Sequence, residues 1–136
     1  YSQSEDIINW FKNIYLPIDK LLGQIINPLP LKIKELSADP YDQLLMDSFC
    51  LYLEKSKNKI QKIKIIYTSI TSPILLRNFS LDLYHCLSQV EDGLNELERY
   101  TMGYVDNYLH DGKSMIEQAK RKRKLLKINK KEWLVS

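Results

Sequence analysis

Residues 39–71, DPYDQLLMDSFCLYLEKSKNKIQKIKIIYTSIT, and 72–110, SPILLRNFSLDLYHCLSQVEDGLNELERYTMGYVDNYLH, decide the fold. In the first stretch apolar residues recur at Leu45, Phe49, Leu53, Ile60, Ile63, Tyr67 and Ile70, with Ser56 in one polar slot. In the second they recur at Leu76, Phe79, Leu83, Leu87, Val90, Leu94, Leu97, Tyr104 and Tyr108, with Thr101 in the polar slot. Each step is three or four residues, and a helix brings positions three and four apart onto one face. Near-regular alternation of threes and fours is the seam of a coiled coil or long-helix bundle. The expected fold is therefore all-α: an elongated helical bundle of two long antiparallel helices, a shorter kinked N-terminal helix and a basic C-terminal helix.

The boundaries follow from local signals. Asp39-Pro40 reads as a cap followed by Pro at the first helical position, and starts the second helix, which runs to about Thr71. Ser72-Pro73 repeats the signal and starts the third helix. Only a tight turn separates the two, so they should be antiparallel neighbours. Upstream, Ser4-Glu5-Asp6 opens the first helix. Its apolar face is Ile7, Phe11, Ile14, Ile18, Leu22 and Ile25, flanked by Trp10 and Leu21. Pro17 lies inside that pattern and should kink it, because Pro removes a backbone donor and clashes with the preceding turn. Asn27-Pro28-Leu29-Pro30 stops the helix, and Leu31 to Ala38 reads as a loop or a short helical turn. Downstream, His110-Asp111-Gly112 reads as a break, and Ser114 with Glu117 as a capping box that restarts a helix through about Ile128. The alternative is one continuous helix from Pro73 to the late 120s. The whole of 1–136 reads as one helical domain with a basic segment over 113–136.

Gly and Pro are scarce, four and five residues, which disfavours a strand-rich fold. The net charge of +3 hides a division. From Gly112 to Ser136 there are nine basic residues against Glu117 and Glu132, leaving the rest of the chain acidic. The run Lys120-Arg121-Lys122-Arg123-Lys124 is denser in cations than a helix end requires, and can bind a polyanion or an acidic partner. No aromatic residue interrupts it, so single-stranded bases would find no stacking platform there. Salt-dependent backbone contact is the most it implies toward nucleic acid, with Lys55, Lys57, Lys59, Lys62 and Lys64 as a second basic flank. Deleting the chain from Lys120 onward is expected to leave most of the stability intact and to weaken that binding.

Few residues suggest chemistry. No Gly-rich phosphate loop and no Cys-x-x-Cys or His-x-x-x-His spacing occurs, so no catalytic, metal or cofactor residues are assigned. His85-Cys86 would point about 100° apart on a helix. Cys50 and Cys86 fall on or beside apolar faces and read as two buried, reduced thiols. Glu91, Asp92, Glu96 and Glu98 read as solvated charge. Arg77-Asn78 followed by His85 resembles the pattern of HEPN ribonucleases, all-helical domains with an Arg, a polar residue and a downstream His. Seven residues intervene here against that family's four to six. The resemblance implies RNA cleavage through Arg77 and His85.

The leading expectation is a non-catalytic module for protein–protein interaction or assembly, a subunit or domain of a larger complex. One shorter, kinked helix cannot wrap two long ones, so Leu94, Leu97, Tyr104 and Tyr108 should pack on the first helix, a second copy or another protein. Tyr15, Tyr41, Tyr52, Tyr100 and Trp133 are placed at the edges of apolar faces, where partners also dock. A nucleic-acid-associated helical protein using the basic tail is the alternative, and a HEPN-like ribonuclease the third reading. No run of about 18 apolar residues predicts a membrane span. With no disulfide framework, signal peptide or initiator Met, the chain reads as a processed or excised piece of an intracellular protein, cytoplasmic or nuclear.

Overall fold

The structure, a computed structural model, describes residues 3–135. Its elements are α1 (Gln3–Trp10), a π-helical turn (Phe11–Tyr15), α2 (Leu16–Ile26), α3 (Leu29–Ala38), α4 (Gln43–Ser69), a 3-10 turn (Ile74–Leu76), α5 (Arg77–Gly103) and α6 (Asp106–Val135). No strand occurs among the described residues, and the all-α expectation holds. At 1.5 Å rise per residue, α4 and α5 are each about 40 Å long.

The expected N-terminal kink takes a specific form. Pro17 cannot donate to the helical ladder, and the turn just before it widens to the π pattern over Phe11–Tyr15. The helix then continues to Ile26. Pro28 and Pro30 do not leave a loop behind them. Pro at the first turn sacrifices only donors that are orphaned anyway, so α3 starts there. Leu29, Ile33 and Leu36, spaced by four and three, are buried, while Leu31 is exposed. Asp39 ends α3 as its C-cap. The cap of α4 is Asp42, whose carboxylate accepts from the backbone N–H of Leu45 at 3.1 Å.

Helix α4 runs antiparallel to α5. As α4 advances through Lys57, Lys64 and Tyr67, its partners on α5 retreat through Glu98, Glu91 and Ser80. Lys64 and Glu91 lie 2.6 Å apart. Glu91 and Glu98 are thus paired across the bundle, and Glu96 pairs with Arg99 along α5 itself, rather than being simply solvated. All these pairs are partly exposed and add little stability, roughly 0–1 kcal/mol each. On the other side of α4, the Tyr52 hydroxyl reaches the carbonyls of Gln24 and Ile25 at 2.9 and 2.6 Å, satisfying the C-terminal end of α2.

The largest departure from expectation is at the end of α5. The chain does not break at His110-Asp111-Gly112, nor does it continue straight. It turns at Tyr104-Val105, and α6 passes through His110–Gly112 and Ser114 uninterrupted. Tyr104 sits in the left-handed region, φ 58°, and its N–H closes the helix on the Tyr100 carbonyl at 2.8 Å. Helix α6 then returns along α5. Gln89 faces Gln118 and the Cys86 thiol faces the Ala119 carbonyl. The bundle thus has three long helices, not two.

This return covers the seam. Leu94 and Leu97 are 1% and 0% exposed, so the cover expected from α1, a second copy or another protein comes from α6 itself. Two glycines make the approach close. A Cβ on Gly93 would lie 2.9 Å from Ile116 Cδ1, and one on Gly112 would lie 2.8 Å from Leu97 Cδ2 and 3.1 Å from the Gly93 carbonyl oxygen. Trp10, Phe11, Tyr15 and Phe79 close the core edge to face, with Phe11 and Phe79 centroids 5.1 Å apart. Tyr15 and Tyr100 are buried, not at edges; Tyr41 is 80% exposed, while Tyr52 and Trp133 are half-buried as edge residues.

Candidate functional site

The basic run is sorted by helical geometry. Helix α6 packs through Gly112, Ile116, Ala119, Arg123 and Leu126, spaced by four, three, four and three. That stripe puts one of the five cations inside and leaves four outside. Arg123 reaches across to α2, where Nε donates to Asp19 Oδ1 at 2.8 Å and Nη2 approaches Oδ2 and the Asp19 carbonyl at 3.4 Å. Both side chains are only 15% exposed. Gly23 makes room: a Cβ there would fall 2.7 Å from Arg123 Nη2. Lys127 Nζ lies 3.9 Å from Asp19, and Lys130 Nζ sits 5.6 Å from the Tyr15 ring centroid.

Lys120, Arg121, Lys122 and Lys124 are exposed, and none of them makes an ion pair among the described residues. Leu125 and Ile128 stand among them, 60% and 47% exposed. The outward face of α6 is therefore cationic with apolar points in it. Beside it, Asp82 and His85 of α5 and Lys122, Leu125, Leu126 and Asn129 of α6 line a cleft of about 210 Å³. Arg77 is exposed but does not line this cleft with His85. The Lys55 to Lys64 flank is partly consumed, because Lys57 and Lys64 pair with α5.

Because the chain from Lys120 onward carries Arg123, Leu126 and Trp133 into or against the core, its deletion should cost stability. The expectation that deletion from Lys120 leaves stability intact does not survive. No local signal points to Asp19 as the partner of Arg123, since 104 residues separate them.

Beneath the Arg123–Asp19 pair lie two buried protic groups. The Tyr15 hydroxyl has no hydrogen-bond partner among the described residues, and burial, then the neighbouring Asp19 charge, pushes its pKa up. The Cys86 thiol is raised from 9.0 to about 11, chiefly by burial. Cys50, expected to be buried, is exposed. We expect a chromogenic disulfide reagent at pH 8 to titrate one thiol of the folded chain quickly, Cys50, and the second only on unfolding. A folded pKa above the unfolded one means that the stability linked to Cys86 is full below pH 9 and falls as pH rises toward 11. Replacing Cys86 with Ala should flatten part of that alkaline decline.

The other named seam residues lie at the opposite end of the bundle. Tyr104 is 39% exposed and its ring lies 5.4 Å from that of Tyr41; Tyr108 is half-buried beneath Arg99. No helix among the described residues is long and apolar enough to cross a membrane. Compared with known proteins, the chain matches no curated protein and no solved structure. Residues 2–134 match the family described as the cyanobacterial DnaJ chaperone, C-terminal domain. With the match spanning nearly its whole length, the chain belongs to that family of helical chaperone domains.

Proposed function

We propose that this chain is a non-catalytic protein-docking domain of a chaperone, and that the outward face of α6 receives an acidic polypeptide segment. The observation that carries the reading is the sorting of the cations. The bundle uses Arg123 for its own cohesion and leaves Lys120, Arg121, Lys122 and Lys124 exposed around Leu125 and Ile128, with no ion pair among the described residues. Opposed charges give rapid, salt-sensitive encounter, and apolar points give contact that pure polyanions cannot use. A chaperone family is consistent with a protein as the partner. The unpaired cysteines accord with an intracellular setting.

The nucleic-acid reading rests on the same cations, and two features favour protein over it. The cationic face offers no Tyr, Trp or Phe between Ile116 and Glu132 for base stacking, and it presents aliphatic side chains instead. Fluorescence anisotropy separates the two. A labelled 16-residue Glu-rich helical peptide bearing leucines should bind in a salt-dependent manner, and more tightly than a labelled single-stranded oligonucleotide of similar charge. Tighter binding of the oligonucleotide would turn the assignment toward nucleic acid.

A further inference from the structure

The cleft between α5 and α6 adds a specificity element, and its role rests on the docking reading above. Its volume, about 210 Å³, is below the range of about 300–1,000 Å³ usual for small-molecule sites, and suits one inserted side chain. Its walls differ. Leu126, almost fully buried, forms the floor, and Leu125, largely exposed, forms an apolar rim. Lys122 supplies a cation on the α6 side. On the α5 side Asp82 supplies an acceptor and His85 a ring that is exposed to solvent. Asn129 contributes an amide that can donate and accept.

We propose that this cleft is the anchor pocket for a leucine-like side chain of the acidic segment docked on α6, with a neighbouring carboxylate of that segment on Lys122. The placement follows from continuity: Lys122 and Leu125 belong both to the cleft and to the exposed cationic face. A segment lying along the cations therefore passes over the cleft, and its apolar residue can enter that recess. Asp82 sets the direction. It repels a carboxylate on the α5 side and can accept a backbone or side-chain N–H there, so the acids of the segment belong on the α6 side. A phosphate backbone has no aliphatic group to fill the floor over Leu126. A flat anionic membrane cannot reach into a recess between two helices.

Anisotropy titrations of the full chain with two labelled probes test this. One is the 16-residue Glu-rich peptide with leucines; the other is the same peptide with every leucine replaced by alanine. The folded parent should hold the leucine peptide at least about tenfold more tightly, as burial of one aliphatic side chain requires. Two variants remove the pocket at exposed positions, Leu125→Ser by stripping the rim and His85→Trp by filling the space. Both should bring the leucine peptide down to the affinity of the alanine peptide, with that weaker affinity unchanged. Circular dichroism melts matching the parent show that each variant is folded. Equal affinity of both peptides for the parent, or a leucine preference that survives in both variants, overturns the anchor pocket while leaving docking on α6 in place. Binding of neither peptide by the parent overturns docking and the pocket together.

Discussion

Gly112→Leu should lower stability by about 3 kcal/mol, whereas Gly103→Ala should raise it by about 0.5 kcal/mol. At Gly112 a Cβ would already lie 2.8 Å from Leu97 Cγ and Cδ2 and 3.1 Å from the Gly93 carbonyl oxygen. The last contact is to backbone, which cannot turn aside, so a larger side chain drives α6 away from α5. At Gly103 the nearest atom to such a Cβ is Val105 Cγ2 at 4.0 Å, and no positive φ demands glycine. There the gain is the usual one from restricting the unfolded chain. Urea denaturation of the two variants checks both signs. Gly112→Leu within about 0.5 kcal/mol of the parent would mean that α6 does not return along α5 as described.

The five cations should divide sharply under substitution. Arg123→Ala leaves the Asp19 carboxylate, 15% exposed, without its main partner, and removes side-chain packing against Gly23. Breaking a fully buried pair in this way costs about 3–5 kcal/mol; partial solvent access and the more distant Lys127 reduce that to about 2 kcal/mol. Asp19→Ala should cost a similar amount, and the double variant less than the sum of the two. Arg121→Ala, on the solvent side, should stay within about 0.5 kcal/mol of the parent. Thermal or urea unfolding of this set measures the coupling directly. Strictly additive losses at Arg123 and Asp19 would remove the pair from any role in holding α6 to α2.

These two results also mark where the sequence could be read and where it could not. The seams of α4 and α5 were legible because a helix repeats its apolar face every three or four residues over 27 positions. Phe49, Leu53, Ile60 and Ile63 are buried as the spacing predicts, and so are Phe79, Leu83, Leu87 and Val90. The turn after α5 was not legible. Gly112 has the local appearance of a helix end, yet it serves interhelical contact, whereas the real turn lies at Tyr104, a residue that seldom adopts positive φ. Local signals cannot tell a glycine needed for a turn from one needed for close approach. That single misplacement hid the cover over Leu94 and Leu97.

The site was half legible. The density of charge at Lys120–Lys124 was plain, but which of its members faced inward depended on the phase of α6 and on Asp19, far away in sequence. Leu125 and Ile128 are apolar, yet the phase of α6 turns them outward among the cations. Tyr15 and Tyr100 went the other way, into the core, because α6 closes over a region that two helices alone would leave open.

The most direct test of the docking reading replaces three of the four outward cations and spares the inward one. The chain carrying Lys120→Glu, Arg121→Glu and Lys124→Glu retains Arg123, so its melting midpoint should match the parent's. Its affinity for the Glu-rich leucine peptide, followed by anisotropy at low ionic strength, should fall at least about a hundredfold, since three attractions become three repulsions. An unchanged affinity with an unchanged melting midpoint would show that the outward face of α6 is not the docking surface.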